Sequence, residues 1–335
     1  MTSYDRAVGA LYGLALGDAL GMPTQMLPRP LITARYGPVL TGFHPAPPDH
    51  PLAAGMRAGA VTDDTGQALL LAGLLIDGEG TVDPAELARR LVVWEDEMRA
   101  RGSLELLGPS TKRAVERVLA GTPMDEVGRY GTTNGAAMRI APVGIAVPAG
   151  DAVALVDRVV EASRLTHHTG VALAGAAAVA AAVSAGVDGA PVPQAVEAAV
   201  HAARLASGRG HWVAAADVAA RIVWATGMTR AGLSDDELCD RVYTLVGTGL
   251  ATQESVPAAF AVLAARPDAP WHAARLAASV GGDCDTIAAI TGAVAGACHG
   301  VDAFPAAARD TLVRANPGLD LDVTATALLA LRDRT

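Results

Sequence analysis

Glycine recurs at every fourth position near the start of the chain, at Gly9, Gly13, Gly17 and Gly21. Residues four apart share one face of a helix, so this spacing predicts a helix over 5–20 with a stripe free of side chains. A glycine inside a helix costs about 1 kcal/mol relative to alanine, so four in register imply a neighbour whose backbone comes close. The composition agrees. The chain is 51% hydrophobic but only 4% aromatic, and much of its apolar mass is alanine. Small side chains suit closely approaching helices better than a core built on large rings. Period-two runs of β-branched residues are nearly absent, and the patterning predicts helices over 62–76, 83–100, 111–119, 151–165, 170–187, 193–205, 214–226, 234–245, 254–264, 271–280, 285–298, 305–315 and 323–332. With no repeat and no linker, the expectation is a single compact all-α domain spanning 1–335.

Between the helices, Pro23, Pro28 and Pro30 break the first one. Residues 41–59 form a long Pro-, Gly- and His-rich loop, and loops of that length are functional or mobile. The uncharged stretch 171–187 is marginal in length for a membrane span and dominated by Ala and Gly, so it reads as a buried central helix. No signal peptide is expected, since Asp5 and Asp18 interrupt the first apolar run. A net charge of −9 argues against general nucleic-acid binding. Cys239, Cys284 and Cys298 show no CxxC spacing and read as reduced thiols of a cytoplasmic protein.

Two acidic clusters carry the chemistry. Thr62-Asp63-Asp64-Thr65 stands directly before one apolar run, and Gly281-Gly282-Asp283-Cys284-Asp285-Thr286 before another about 220 residues later. Carboxylates in the first turn of a helix are stabilised by free N–H groups and the macrodipole, so each cluster alone is equally an ordinary capping arrangement. Neither contains a Lys or Arg. If folding brings them face to face, their charges repel and raise one another's pKa values unless cations intervene. Hard oxygen ligands suit Mg²⁺, Mn²⁺ or Ca²⁺. Asp18, at the end of the first helix, is a cap, an ion-pair partner or part of the same floor.

Six short segments, in order along the chain, resemble those of the ADP-ribosylglycohydrolase family, which includes the dinitrogenase-reductase-activating glycohydrolases. They are Gly17-Asp18-Ala19-Leu20-Gly21-Met22-Pro23, Val61-Thr62-Asp63-Asp64-Thr65, Gly108-Pro109-Ser110-Thr111, Asn134-Gly135-Ala136-Ala137-Met138-Arg139-Ile140, Thr166-His167 and Gly281 to Thr286. The resemblance implies that family's all-α fold, a compact orthogonal helical bundle, with two Mg²⁺ (or Mn²⁺) ions, ligated by Thr62, Asp63 and Asp64 on one side and Asp283, Asp285 and Thr286 on the other. It implies hydrolysis at C1″ of an ADP-ribosyl group by a metal-positioned water, with Asp64 or Asp283 as proton acceptor. Tyr130, Gly131, Thr133, Asn134 and Gly135 would form the diphosphate-side wall, with Tyr130 either stacking on adenine or simply exposed. His167 would donate to phosphate or ribose, or sit buried and hydrogen-bonded. Arg139 is an ion-pair partner or an anion contact.

The partner implied is an ADP-ribosylated protein or a small ADP-ribosyl or ribosyl conjugate. Three positions depart from the family's pattern. Gln25 stands where members acting on ADP-ribosylated protein carry a flap glutamate, Leu106 where some arginine-directed members carry aspartate, and Cys284 where many have threonine. The first two open smaller substrates, including nucleoside-like N-ribosides. A silent binding or structural member of the fold is the third alternative.

Overall fold

The N-terminal helix, Ser3–Gly21, finds its close neighbour in the helix Cys284–His299 near the other end of the chain. The two run antiparallel with glycine against glycine. A Cβ built on Gly13 would stand 2.0 Å from the Gly292 carbonyl oxygen, and one on Gly296 would stand 1.9 Å from that of Gly9. Gly17 lies against Ala288 in the same way, and Gly21 against the Asp285 backbone. Backbone touches backbone at four successive positions along the helix, with no side chain between.

The computed structural model describes residues 1–100, 107–229 and 232–334; Leu106 lies outside them. Among the described residues there are eighteen α-helices, short 3₁₀ and π segments, and no strand, only three isolated β-bridges. One continuous buried cluster reaches from Ala7 to Leu331. At its centre stands Gly170–Val187, capped by the Thr169 hydroxyl and buried at every residue. By length and composition this helix could cross a membrane, but here it is wholly enclosed by protein. Gly186 brings it onto Ala297, and Gly175 seats it on Thr252 of the helix Thr252–Ala265.

Differences from the sequence expectation have local causes. Pro30, expected as a breaker, sits in the first turn of an unforeseen helix, Arg29–Tyr36, where its missing N–H would have had no partner. Ser234 opens a helix through a capping box with Glu237, but after Arg241 the winding widens into a π turn at Val242–Val246, closed by Gly247. Pro257 lies inside Thr252–Ala265 and withholds a hydrogen bond from the Gln253 carbonyl; Arg221 Nε supplies one at 3.2 Å. Residues 41–59 contain no helix. His50 pins this loop, with Nε2 at 3.0 Å from the Gln25 carbonyl and Nδ1 accepting from the Leu52 and Ala53 amides.

The glycine contact separates two kinds of helical glycine. Gly13→Ala is expected to cost about 1–3 kcal/mol or more, because its methyl meets carbonyl backbone that cannot swing aside. Gly227→Ala, in the helix Val218–Thr229 with nothing within 4 Å of the added Cβ, is expected to stabilise by about 0.4–1 kcal/mol. Urea unfolding of the two variants checks both signs.

Candidate active site

At the first acidic cluster, helix Asp63–Asp77 is capped without drawing on its own aspartates. The Thr62 hydroxyl accepts from the Asp64 amide at 3.3 Å. Asp18, reaching over from the N-terminal helix, accepts from the Thr62 amide at 3.0 and 3.1 Å, from the Thr65 amide at 3.1 Å and from the Thr65 hydroxyl. Asp18 therefore caps a helix that is not its own. That leaves the Asp63 and Asp64 carboxylates for other work. Asp63 accepts from Gln67 Nε2 at 2.9 Å. Asp64 is buried, and its Oδ1 has no hydrogen-bond partner.

At the second cluster, Gly281 (φ +92°) and Gly282 (φ +73°) both take the left-handed conformation that favours glycine. A Cβ on Gly282 would stand 2.3 Å from the Thr248 carbonyl oxygen. Asp283 occupies the N-cap of the helix Cys284–His299, yet its side chain does not cap. It accepts instead from Asn134 Nδ2, which also donates to Ser255 Oγ at 2.9 Å. Thr286 Oγ1 donates to Asp64 Oδ2 at 3.2 Å across 222 residues of sequence. The two clusters meet.

The meeting is electrostatically costly. Asp64 is held well above the usual carboxylate range, first by burial and then by the charges of Asp63, Asp18 and Asp283. Asp283 is pushed up to about 6 by burial, against the lowering effect of Asn134 and Thr286. Burial raises Asp18 too, opposed by its bonds from Thr65 and Thr62. Cys284 is buried, its thiol raised by burial and accepting from the Gly281 amide.

Above these carboxylates lies a cavity of about 280 Å³. Asp63, Asp64, Asp283, Asp285 and Thr286 line its floor; Thr111, Thr133, Asn134 and Gly135 line one wall; and Gln25, Met26 and Leu52 line the rim. Of the other residues singled out in the sequence, Thr62 lines a neighbouring cavity that shares Asp63. Tyr130 is exposed, with the Arg117 and Arg129 guanidinium groups 5.5 and 5.3 Å from its ring centre. Gly131 packs its backbone on that of Thr166. His167 is fully buried behind Thr133 and Gly135.

The rim is strapped to the glycine turn. Met26 N donates to the Gly282 carbonyl at 2.6 Å and Gly282 N to that of Leu27 at 2.9 Å. Met26 carries a φ of +57°, a conformation rare outside glycine. Met26, Leu52 and Leu250 also line the cavity and lie in no motif of the sequence, whereas Thr111 ends the segment Gly108-Pro109-Ser110-Thr111.

The donor chemistry of the floor suits hard cations. It offers carboxylate and hydroxyl oxygens with no nitrogen or sulfur, and the bare Asp64 Oδ1 sits in a site too charged to hold together comfortably. Among the described residues, no group of three or more His, Cys, Asp or Glu is drawn tightly enough to enclose an ion. The fit therefore rests on the donor set and not on a formed coordination shell.

The match to a family model places this all-helical fold among glycohydrolase-type enzymes. The chain belongs to the ADP-ribosylglycohydrolase family, whose profile matches residues 1–335. It is 37% identical over 330 residues to the Uncharacterized protein YegU of Escherichia coli (strain K12), covering 98% of each chain. It is 30% identical over 170 residues to the ADP-ribosyl-[dinitrogen reductase] glycohydrolase of Rhodospirillum rubrum, covering 49% of this chain and 52% of that one. The solved ADP-ribosylglycohydrolase-related protein complex superposes with a TM-score of 0.65 at 27% identity, over 98% of both chains.

The raised carboxylates set a pH dependence for the metal-free protein. A carboxyl whose folded pKa lies above its unfolded value of about 4 stabilises the fold fully below that value, and the contribution is lost as pH rises through the folded pKa. With Asp283 at about 6 and Asp64 raised as well, the Tm in chelator is expected to fall as pH climbs from about 5 to about 7.5. A Tm flat across this window would count against the repulsion.

Proposed function

We propose that the chain is a divalent-metal-dependent hydrolase that cleaves the C1″ glycosidic bond of ADP-ribosyl conjugates. One observation carries the reading: the Thr286–Asp64 hydrogen bond joins two acidic clusters on a cavity floor where Asp64 keeps an oxygen without a partner. Thr62, Asp63 and Asp64 on one helix, and Asp283, Asp285 and Thr286 on the other, would hold two Mg²⁺ or Mn²⁺ ions. Such ions, when bound, neutralise the floor and polarise a water or a sugar hydroxyl.

The chain's own residues do the rest. The cavity walls hold the ribosyl group with C1″ facing the floor, which exchanges a bimolecular encounter for a fixed geometry. A water oxygen bonds to C1″ as the bond from C1″ to the departing nitrogen or oxygen breaks. The water's proton passes to Asp283 or Asp64, and the leaving group departs with the electron pair of the broken bond and takes up a proton. Asn134 donates to Asp283 and orients it for that transfer. The ADP-ribosyl part of the substrate draws support from the similarity to the Rhodospirillum rubrum ADP-ribosyl-[dinitrogen reductase] glycohydrolase. With buried thiols and an acidic surface, the compartment we favour is the cytoplasm.

Gln25 favours a second reading of the substrate. It is buried at the cavity rim, and its amide neither ligates as a carboxylate nor accepts a proton at neutral pH. The second reading is therefore a small ADP-ribosyl or ribosyl conjugate in place of a modified protein.

Release of ADP-ribose from ADP-ribosylated arginine, serine and nucleoside substrates, in Mg²⁺ or Mn²⁺ and in chelator, tests the reading. Turnover in metal alone supports it, and no turnover on any substrate with metal bound overturns it in favour of a silent member of the fold. Asp63→Ala and Asp285→Ala are each expected to lower kcat/KM by ~100-fold or more with unchanged helix content. Gln25→Glu is expected to change relative rates across the substrate panel.

A further inference from the structure

The buried wall behind Thr133 contains a chain of polar groups that the proposed reaction does not use. Arg139 is 1% exposed and is the largest fully buried side chain. Its Nη1 donates to Gln67 Oε1 at 3.1 Å and its Nη2 to Thr166 Oγ1 at 2.5 Å. Thr166 Oγ1 lies 2.8 Å from His167 Nδ1, and His167 Nε2 lies 3.1 Å from Thr133 Oγ1. Thr133 lines the cavity.

We propose that Arg139, Thr166 and His167 form a one-directional relay that fixes His167 as the Nε2–H tautomer and turns the Thr133 hydroxyl outward to donate into the cavity. The proposal rests on the reading above only for what the cavity binds. Three physical arguments set the direction. Arginine has donors and no acceptor, so Thr166 Oγ1 must accept from it, and a hydroxyl that accepts from a cation becomes a stronger donor. The Thr166 proton then has two acceptors to choose from, His167 Nδ1 at 2.8 Å and the Ser163 carbonyl at 3.5 Å, and the shorter bond is the better one. Finally, the guanidinium lies on the Nδ1 side of the ring. The bare nitrogen facing the cation is favoured over an N–H aimed toward it, and burial first, then the same cation, opposes an imidazolium. With Nε2 carrying the proton, Thr133 Oγ1 accepts from the ring and its own proton is left for the cavity.

The same reasoning fixes the other arm. Gln67 accepts from Arg139 and so presents its Nε2 to Asp63, which can only accept. One buried cation thereby orients both sides of the cavity. It turns an N–H onto a floor carboxylate and, three bonds away, an O–H toward an oxygen of the ligand. Arg139, Thr166 and His167 are positioning residues; Thr133 is the group that would touch substrate, at an oxygen able to accept.

Long-range ¹H–¹⁵N spectra of the full chain, labelled at histidine and assigned with His167→Gln, test the relay directly. The wild type is expected to show His167 with Nε2 protonated and Nδ1 bare, both unchanged from pH about 5.5 to about 8. Protonated Nδ1, or a ring that titrates in that window, overturns the proposal. Thr166→Val is expected to shift the Nδ1 signal and release a mixture of tautomers, and Thr166→Ser to restore the wild-type pattern. Wild-type His167 signals in Thr166→Val overturn it as well. On a hydrolysed conjugate, Thr133→Val and Thr166→Val are each expected to raise KM about 2- to 10-fold with little change in kcat, and the double variant to do no worse than either. Additive losses count against a shared path. The spectra need no turnover, so failure to hydrolyse any conjugate would remove the proposed function and leave the relay standing.

Discussion

Contact between two glycine faces is the constraint on which the rest depends. Gly9, Gly13, Gly17 and Gly21 on one helix, and Gly292 and Gly296 with Ala288 on the other, let two backbones touch. Dispersion gains little per atom pair but much over an interface without gaps. The contact also sets register. Sliding one helix by a single glycine step would shift it by about 6 Å. Asp18 would then leave the amides of Thr62 and Thr65, and Gly21 would leave the first turn that carries Asp285. Packing of the most apolar kind thus fixes the position of the most charged groups in the molecule.

The acidic floor shows how a fold can hold groups that repel. Capping of the Asp63–Asp77 helix is delegated to Thr62 and Asp18, and Asp283 stands at an N-cap without serving it. Aspartates released from structural duty remain in place because Asn134, Thr286 and Gln67 donate to them. The remaining electrostatic cost appears as raised carboxyl pKa values. The buried Arg139 hydrogen-bonds Gln67 and Thr166 and reaches the floor through Gln67, which donates to Asp63.

Much of this was legible in the sequence. The helix content followed from periodicity, the buried status of residues 170–187 from their lack of charge, and the Gly281-Gly282 turn from the adjacent glycines. The N-terminal stripe announced a close neighbour but not which one. Gly292, Gly296 and Gly300, also four apart, carried that signal inside an alanine-rich run where it was easily passed over. Arg29–Tyr36 was missed because Pro30 looks the same in sequence whether it ends a helix or begins one. The candidate floor could be assembled because its aspartates sit in short motifs. The rim could not: Met26 and Leu52 reach the cavity through a left-handed backbone and a histidine-pinned loop, and neither has a pattern. Tyr130 is exposed and His167 is buried and hydrogen-bonded one layer behind the cavity wall, in each case the plainer of the two alternatives that its sequence context leaves open.

The antiparallel glycine pair also orders events during synthesis. Gly21 leaves the ribosome some 260 residues ahead of Asp285, and at typical elongation rates of ~5–20 residues per second the interval is roughly 15 to 50 s. Throughout that time the first helix presents a bare furrow, with its proper occupant still untranslated. No partial chain assembles the floor, because half of its carboxylates arrive with the last helices. A chain ended after residue 280 would lack Ala288, Gly292 and Gly296, and with them the backbone that fills the furrow.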